Sequence, residues 1–273
     1  MNNMTEAEIE YLQLKGISKS EIDRQERMIK EGVESWVLNS ACTIGNGVEE
    51  LSDDDLEQFN EVVDKRLEEG LRVCKMVPAS GAASRMFKLL SDVVSGKLDL
   101  KSQSSWVEFY SNIEKFAFAP KVISKWGELP YSVEKWTEVA IWLLSKKGLD
   151  FSESPKAVID FHCYDKGVRT PVAEHYFESQ ALNCGIQRIH FTASEEHADL
   201  FEIEKNKLND ALSMDLSFQS ESTHSLALSE QGEWLKKEDG KVLLRPSGHG
   251  ALLDNLSNID EEFVMLRNID NVQ

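Results

Sequence analysis

The chain has 273 residues, 41% hydrophobic and 29% charged, with a formal net charge of −18, a globular composition with material for one large domain or two small ones. Such acidity argues against nucleic acid as a partner, because a basic face supplies most of the affinity for a phosphate backbone; it leaves room for a nucleotide, whose phosphates a Mg2+ ion and one or two cations neutralise locally. No apolar run approaches the ~20 residues that cross a bilayer, the opening "MNNMTEAEIEYLQLKG" lacks the apolar stretch of a signal peptide, and the four cysteines include no C-x-x-C pair, so the expectation is a cytoplasmic protein with reduced thiols, without disulfide frame or metal cluster.

Residues 1–70 read as a helical N-terminal extension packed on something larger. Thr5 and Ser18 stand three residues before Glu8 and Glu21, two capping-box patterns. Leu56, Phe59, Val62, Val63 and Leu67 recur at helical spacing, and "CTIGNGVEEL" before them is a glycine-containing turn. Residues 71–95 read as strand, tight loop, helix. A helical insertion with an aromatic core, about 97–150, follows in "WVEFYSNIEKFAF" and "VEKWTEVAIWLLSKKG".

From residue 155 the pattern changes. "KAVIDF" reads as a strand, and "RTPVAEHYFESQALNCG" as a helix with Pro171 in its first turn and Gly185 past its end. "IQRIHFTAS" is a strand, "EEHADLFEIEKNKLNDAL" a helix and "MDLSFQS" a strand. "KKEDGKVLLRPSG" is a hairpin turning at Asp239-Gly240, "HGALLDNLSN" a short helix and "EEFVMLRNIDN" a strand. Strands alternating with helices predict an α/β domain over 71–273, with a mostly parallel sheet covered on both faces. Ligands of such sheets sit beyond the carboxyl ends of the strands. The loop after the first strand, Thr192–Ser194, Gln219 and Asn268–Asn271 all fall there.

That loop, "PASGAASR", runs through Ala79, Ser80, Gly81, Ala82, Ala83 and Ser84 to Arg85. It offers successive backbone N–H groups with little side chain in front of them, ahead of a helix, and then a permanent cation whose planar fork suits phosphate. A tight strand-to-helix turn that needs small residues for packing would look the same. No G-K-[ST] follows, so it is not a P-loop, and Gly81 alone does not make a dinucleotide fingerprint.

Ala79 to Met86 resembles, with substitutions, the small-residue loop ending in Arg of the sugar-nucleotide pyrophosphorylases. "RPSGHGALLDNLSNIDEEFVMLRNIDN" resembles a UDP-sugar pyrophosphorylase segment in which P-x-G-[HN]-G opens a short helix and a strand then ends in N-x-D-N; here these are Pro246, Gly248, His249, Gly250, Asn268, Asp270 and Asn271. "FTASEEHADLF" and "SFQS" resemble two further short segments, in the same order. The "VPASGAASRMF", "RTPVAEH" and "RPSGHGALL" wording is similar to that of the bacterial domain of unknown function 4301 family, itself related to these enzymes. The likeness covers about residues 72–273.

The resemblance implies a Rossmann-like GT-A nucleotidyltransferase sheet that joins a nucleoside triphosphate, UTP favoured, to a sugar 1-phosphate and releases pyrophosphate. The loop residues and Arg85 would take the phosphates and Asp270 would hold Mg2+. Gly248 and Gly250 would let backbone approach the base, with His249 beside it and Gln219 pairing with its edge. The bland alternatives are a helix-capping His249, a solvated Asp270 and a surface Gln219; His162, His175 and His197 read as structural or exposed. Cys163 stands where the family is expected to carry a phosphate-contacting lysine, which leaves Lys166, Arg169 or Lys88 for that task. Related enzymes continue beyond the strand of Asp270 with a sugar-binding half and a second metal-holding acid, so the sheet is expected to be incomplete and the chain truncated. A non-catalytic nucleotide- or nucleotide-sugar-binding module is the alternative, and a structural domain whose insertion binds a partner is a third.

Overall fold

The segment Val73–Pro78, buried along its whole length, lies inside the main sheet of the computed structural model, which describes residues 4–35, 37–81, 83–98, 100–128, 132–182, 184–209 and 211–272. In chain order the elements are α1 (Glu6–Leu14), α2 (Lys19–Glu31), β1 (Thr43–Ile44), β2 (Gly47–Val48), α3 (Asp53–Glu68), β3 (Val73–Pro78), α4 (Lys88–Val94), α5 (Leu100–Ser111), α6 (Ala119–Trp126) and α7 (Val133–Leu144). There follow β4 (His162–Tyr164), β5 (Gly167–Arg169), α8 (Pro171–Ala181), β6 (Ile186–Ala193), α9 (Ala198–Lys205), β7 (Ser213–Phe218), β8 (Ser225–Leu226), β9 (Leu244–Arg245), α10 (Leu253–Ser257) and β10 (Phe263–Leu266). They divide into two units: Met1–Leu71 with Gln219–Asp260, and Arg72–Phe218 with Glu261–Gln273.

The second unit carries a four-stranded sheet in the order β10-β3-β6-β7, every neighbouring pair parallel. This mixed α/β architecture, with ten α-helices among the described residues, agrees with the expected fold class. The apolar run of β3 suits a strand covered on both faces. Thr170 starts α8 as its N-cap, its hydroxyl accepting from the Ala173 amide (3.3 Å), and Pro171 takes the first helical position. The helix α8 is buried on nearly every side, enclosing Val172 and Tyr176 but also Glu174, His175 and Glu178.

The acids and the histidine have a reason to be inside. Lys75, fully buried in β3, donates to the His175 carbonyl (3.1 Å) and to the Glu178 carboxylate. Arg267 closes the same carboxylate from the other side at 2.7 Å. A buried ammonium is tolerable only with such partners.

The aromatic stretch is helical. Tyr110 stacks on Trp136 (5.6 Å), and Phe151 meets both Phe87 (4.5 Å) and Phe118 (5.2 Å) in one core. "KAVIDF" differs from expectation: Lys156–Val158 is a 3-10 turn, not a strand. Pro155 fixes the entry, the Val158 amide returns to the Pro155 carbonyl, and Ala157 and Ile159 are buried without joining the sheet. A short apolar run reads the same in either role.

In the first unit the Thr5–Glu8 capping box forms in both directions (3.3 and 2.7 Å). Ser18 accepts from the Glu21 amide. Leu12, Ile17 and Ile22 share a small core with Leu226, Trp234 and Val242. The hairpin turns at Gly240, whose φ of 80° is the left-handed conformation that favours glycine. No helix among the described residues is long and apolar enough to cross a membrane.

Candidate functional site

The loop after β3 leaves the carboxyl edge of the sheet pinned at three points. The Ala79 amide donates to the Thr192 carbonyl (2.8 Å), the Lys156 amide to the Gly81 carbonyl (3.1 Å), and the Ala83 amide to the Ser154 carbonyl (3.3 Å). Ala79 and Ala83 are buried, so packing explains why those two side chains are small. It does not explain Gly81, which is exposed, lacks a left-handed φ and has open space where a Cβ would stand. Among the described residues the amides of Ser80, Gly81, Ser84 and Arg85 donate to no protein acceptor. Ala82 lies outside the described residues.

The expected cations are placed differently from one another. Arg85 is exposed on the loop, and among the described residues it makes no hydrogen bond or ion pair. Lys88 opens α4 and is held by Asp92 at 2.6 Å. Lys166 sits in the two-residue turn between β4 and β5. Arg169 lies over the Tyr164 and Phe177 rings (4.6 and 4.0 Å) and pairs with Glu174.

The cation that sequence reasoning missed is Lys156. Its amide holds Gly81, and its Nζ lies 2.7 Å from Oδ2 of Asp270. One residue thus joins the loop to the carboxylate that follows β10. The signal was present as a lysine directly after Pro155, hidden because the run that follows looked like a strand.

Asp270 is set in place by its neighbours. The Arg267 amide extends the strand pairing to the Met76 carbonyl (3.0 Å), and the Asn271 amide turns back to Asn268 (3.0 Å). Ile269 is buried, and its carbonyl lies 3.3 Å from Nε2 of His175. A carbonyl only accepts, so Nε2 carries the proton and Nδ1 keeps its lone pair. Burial, then the nearby Lys75 ammonium, push the His175 pKa down to about 4, so the ring is neutral at pH 7, as a structural histidine should be.

Asp270 supplies one carboxylate, 44% exposed, and among the described residues no group of three or more His, Cys, Asp or Glu gathers to hold a metal. A single hard carboxylate suits Mg2+ when phosphate oxygens and water complete the shell; the residues therefore fit a metal that arrives with its phosphates.

A second polar constellation lies on the sheet. Arg188 pairs with Asp215 and, through two 2.9 Å bonds, with Glu261. It also donates to Nδ1 of His190 (3.3 Å). A guanidinium only donates, so the proton of the neutral ring is on Nε2, facing Ser217 Oγ at 2.8 Å. Activation of a serine nucleophile needs the reverse arrangement.

The remaining expected residues belong to the first unit. Gln219 donates from Nε2 to Thr223 Oγ1 (3.1 Å). Gly248, His249 and Gly250 are exposed at the start of a 3-10 turn with no side-chain cap; both glycines lack a left-handed φ and leave space for a Cβ.

The family model described as "Domain of unknown function (DUF4301)" matches residues 5–273, and the chain belongs to that family. No curated protein and no solved structure matches it.

Proposed function

Starting from that membership, we propose that the chain is a sugar-1-phosphate nucleotidyltransferase-like protein with a GT-A type, Rossmann-like sheet. A phosphate oxygen of a sugar 1-phosphate attacks the α-phosphorus of a nucleoside triphosphate, UTP by resemblance. The bond from that phosphorus to the bridging oxygen breaks, and pyrophosphate leaves with the electron pair. The single observation that supports this reading is Lys156, which brings the bare Gly81 loop and Asp270 to one carboxyl edge of a parallel sheet.

The open amides of Ser80, Gly81, Ser84 and Arg85, the Arg85 guanidinium and the Lys156 ammonium face the charge that grows on the departing pyrophosphate, the kind of stabilisation on which phosphoryl chemistry depends. Lys156 takes the phosphate-contacting task for which Lys166 or Lys88 was the expectation. Asp270 would hold Mg2+, which would offset the negative charge of the phosphates.

One observation favours a second reading: Asp270 is a lone carboxylate already in contact with a lysine, an arrangement suited to a module that binds a nucleotide or nucleotide-sugar without turnover. The test is thermal unfolding with UTP, with and without Mg2+, followed by pyrophosphate release on adding sugar 1-phosphates. Stabilisation by UTP that needs Mg2+ and vanishes in Arg85→Ala is expected. No shift with any nucleoside triphosphate ends the first reading, and none with nucleotide-sugars either ends the second; a shift without pyrophosphate release selects the second.

A further inference from the structure

We infer that α3 is a self-association element that pairs, antiparallel, with α3 of a second copy of the chain; this goes beyond the nucleotide reading and does not rest on it. The helix is well specified by its own sequence. Ser52 and Asp55 form a capping box, acids fill the first turn, and Lys65 and Arg66 stand in the last. Yet none of its residues is buried. Leu56, Phe59, Val62 and Val63 are 47%, 56%, 58% and 38% exposed.

At about 100° per residue, Leu56, Phe59, Val63 and Leu67 fall within a stripe roughly 80° wide. Such a stripe is what a helix buries. An isolated helix of this length, 16 residues, is marginal in water, and helices of this kind gain their stability from covering the apolar face. Contiguous exposed apolar residues rimmed by charge mark an interaction surface.

Charge selects the occupant. Asp55, Val62 and Arg66 line one flank of the stripe. When two copies of a helix pair about a two-fold axis, antiparallel, that flank meets itself. The register that sets Asp55 beside Arg66 of the second copy also sets Phe59 beside the second copy's Val62, and symmetry repeats both contacts. The opposed helix dipoles agree with this direction. Among the described residues the Arg66 side chain has only a long contact to Glu69, 3.4 Å, which it can exchange.

The test is sedimentation velocity on the full chain over a micromolar concentration series. The wild type is expected to dimerise, and Phe59→Asp, at an exposed site that leaves the core untouched, to be monomeric with unchanged circular dichroism outside the helix loss. Arg66→Asp and Asp55→Arg are each expected to weaken association about tenfold, two rim ion pairs being lost. The double swap D55R/R66D is expected to recover it relative to Asp55→Arg, which shares the loss of the Ser52–Asp55 cap. A wild type monomeric throughout, or a dimer indifferent to Phe59→Asp, overturns the inference. Failure of the swap to recover association overturns the antiparallel register.

Discussion

Lys156 Nζ contacts Asp270 Oδ2 at 2.7 Å across 114 positions of chain, while the amide of the same lysine holds the Gly81 carbonyl. The contact is partly solvated, with the carboxylate 44% exposed, so it adds little to stability, within about 1 kcal/mol. Lys156→Ala is therefore expected to leave the urea midpoint almost unmoved. Affinity for the Mg2+ complex of UTP should fall about tenfold, the loss of one charge-assisted contact. A titration showing unchanged affinity removes Lys156 from the site.

Two glycines separate packing from function. A Cβ on Gly148 would lie 1.8 Å from the Trp142 carbonyl oxygen, whereas one on Gly81 meets nothing within 4 Å. Gly148→Ala should destabilise by at least ~2 kcal/mol, because backbone must move. Gly81→Ala should stay within about 0.5 kcal/mol of wild type and still weaken triphosphate binding, since the added methyl stands where backbone is proposed to meet phosphate. Denaturant curves and a binding isotherm on the two variants check both halves.

The parallel strands β3, β6, β7 and β10 were legible because their apolar runs alternate with helices and end in polar or small residues. Thr5, Ser18, Pro171 and Gly240 announced their caps and turn through local chemistry, which needs no tertiary context. Lys156 was not legible: whether "KAVIDF" extends or coils is decided by the contact of Lys156 with Gly81 and of the preceding Ser154 with Ala83, far away in sequence. The Lys75–Glu178–Arg267 network was equally hidden. A lysine inside an apolar strand reads as a break in the pattern until its acceptors are known. The exposed stripe of α3 carries the opposite lesson, since helical periodicity reveals a face but not what covers it.

Glu178 is the shared partner of Lys75 and Arg267. Glu178→Ala leaves a buried ammonium unpaired and should destabilise by about 3–5 kcal/mol. Lys75→Met leaves Glu178 with Arg267 and fills the strand with an apolar side chain, so its effect should be smaller. Chemical denaturation of the two variants gives the order; a larger loss in Lys75→Met contradicts the account.

His175 makes stability depend on pH. Its folded pKa, about 4, lies below the ordinary value of 6.5, so between those values the unfolded chain binds a proton that the native chain refuses. The contribution is whole above pH 6.5 and is lost as pH falls toward 4, at up to ~1.4 kcal/mol per pH unit. His175→Gln, which keeps a donor for the Ile269 carbonyl, should flatten this part of the stability–pH curve. An unchanged slope in that variant assigns the dependence to other groups.

Strand β10 pairs with β3 in register from Phe263 opposite Val73, and the adjoining Arg72 and Glu262 are 190 positions apart. During synthesis at ~5–20 residues per second, the strand that ends in the Gly81 loop waits roughly 10–40 s for its neighbour. Throughout that interval one edge of "VCKMVP" carries unpaired amides and carbonyls, the template for pairing between nascent chains. The ribosome-bound chain is thus the stage at which this strand edge is most open to pairing with another chain.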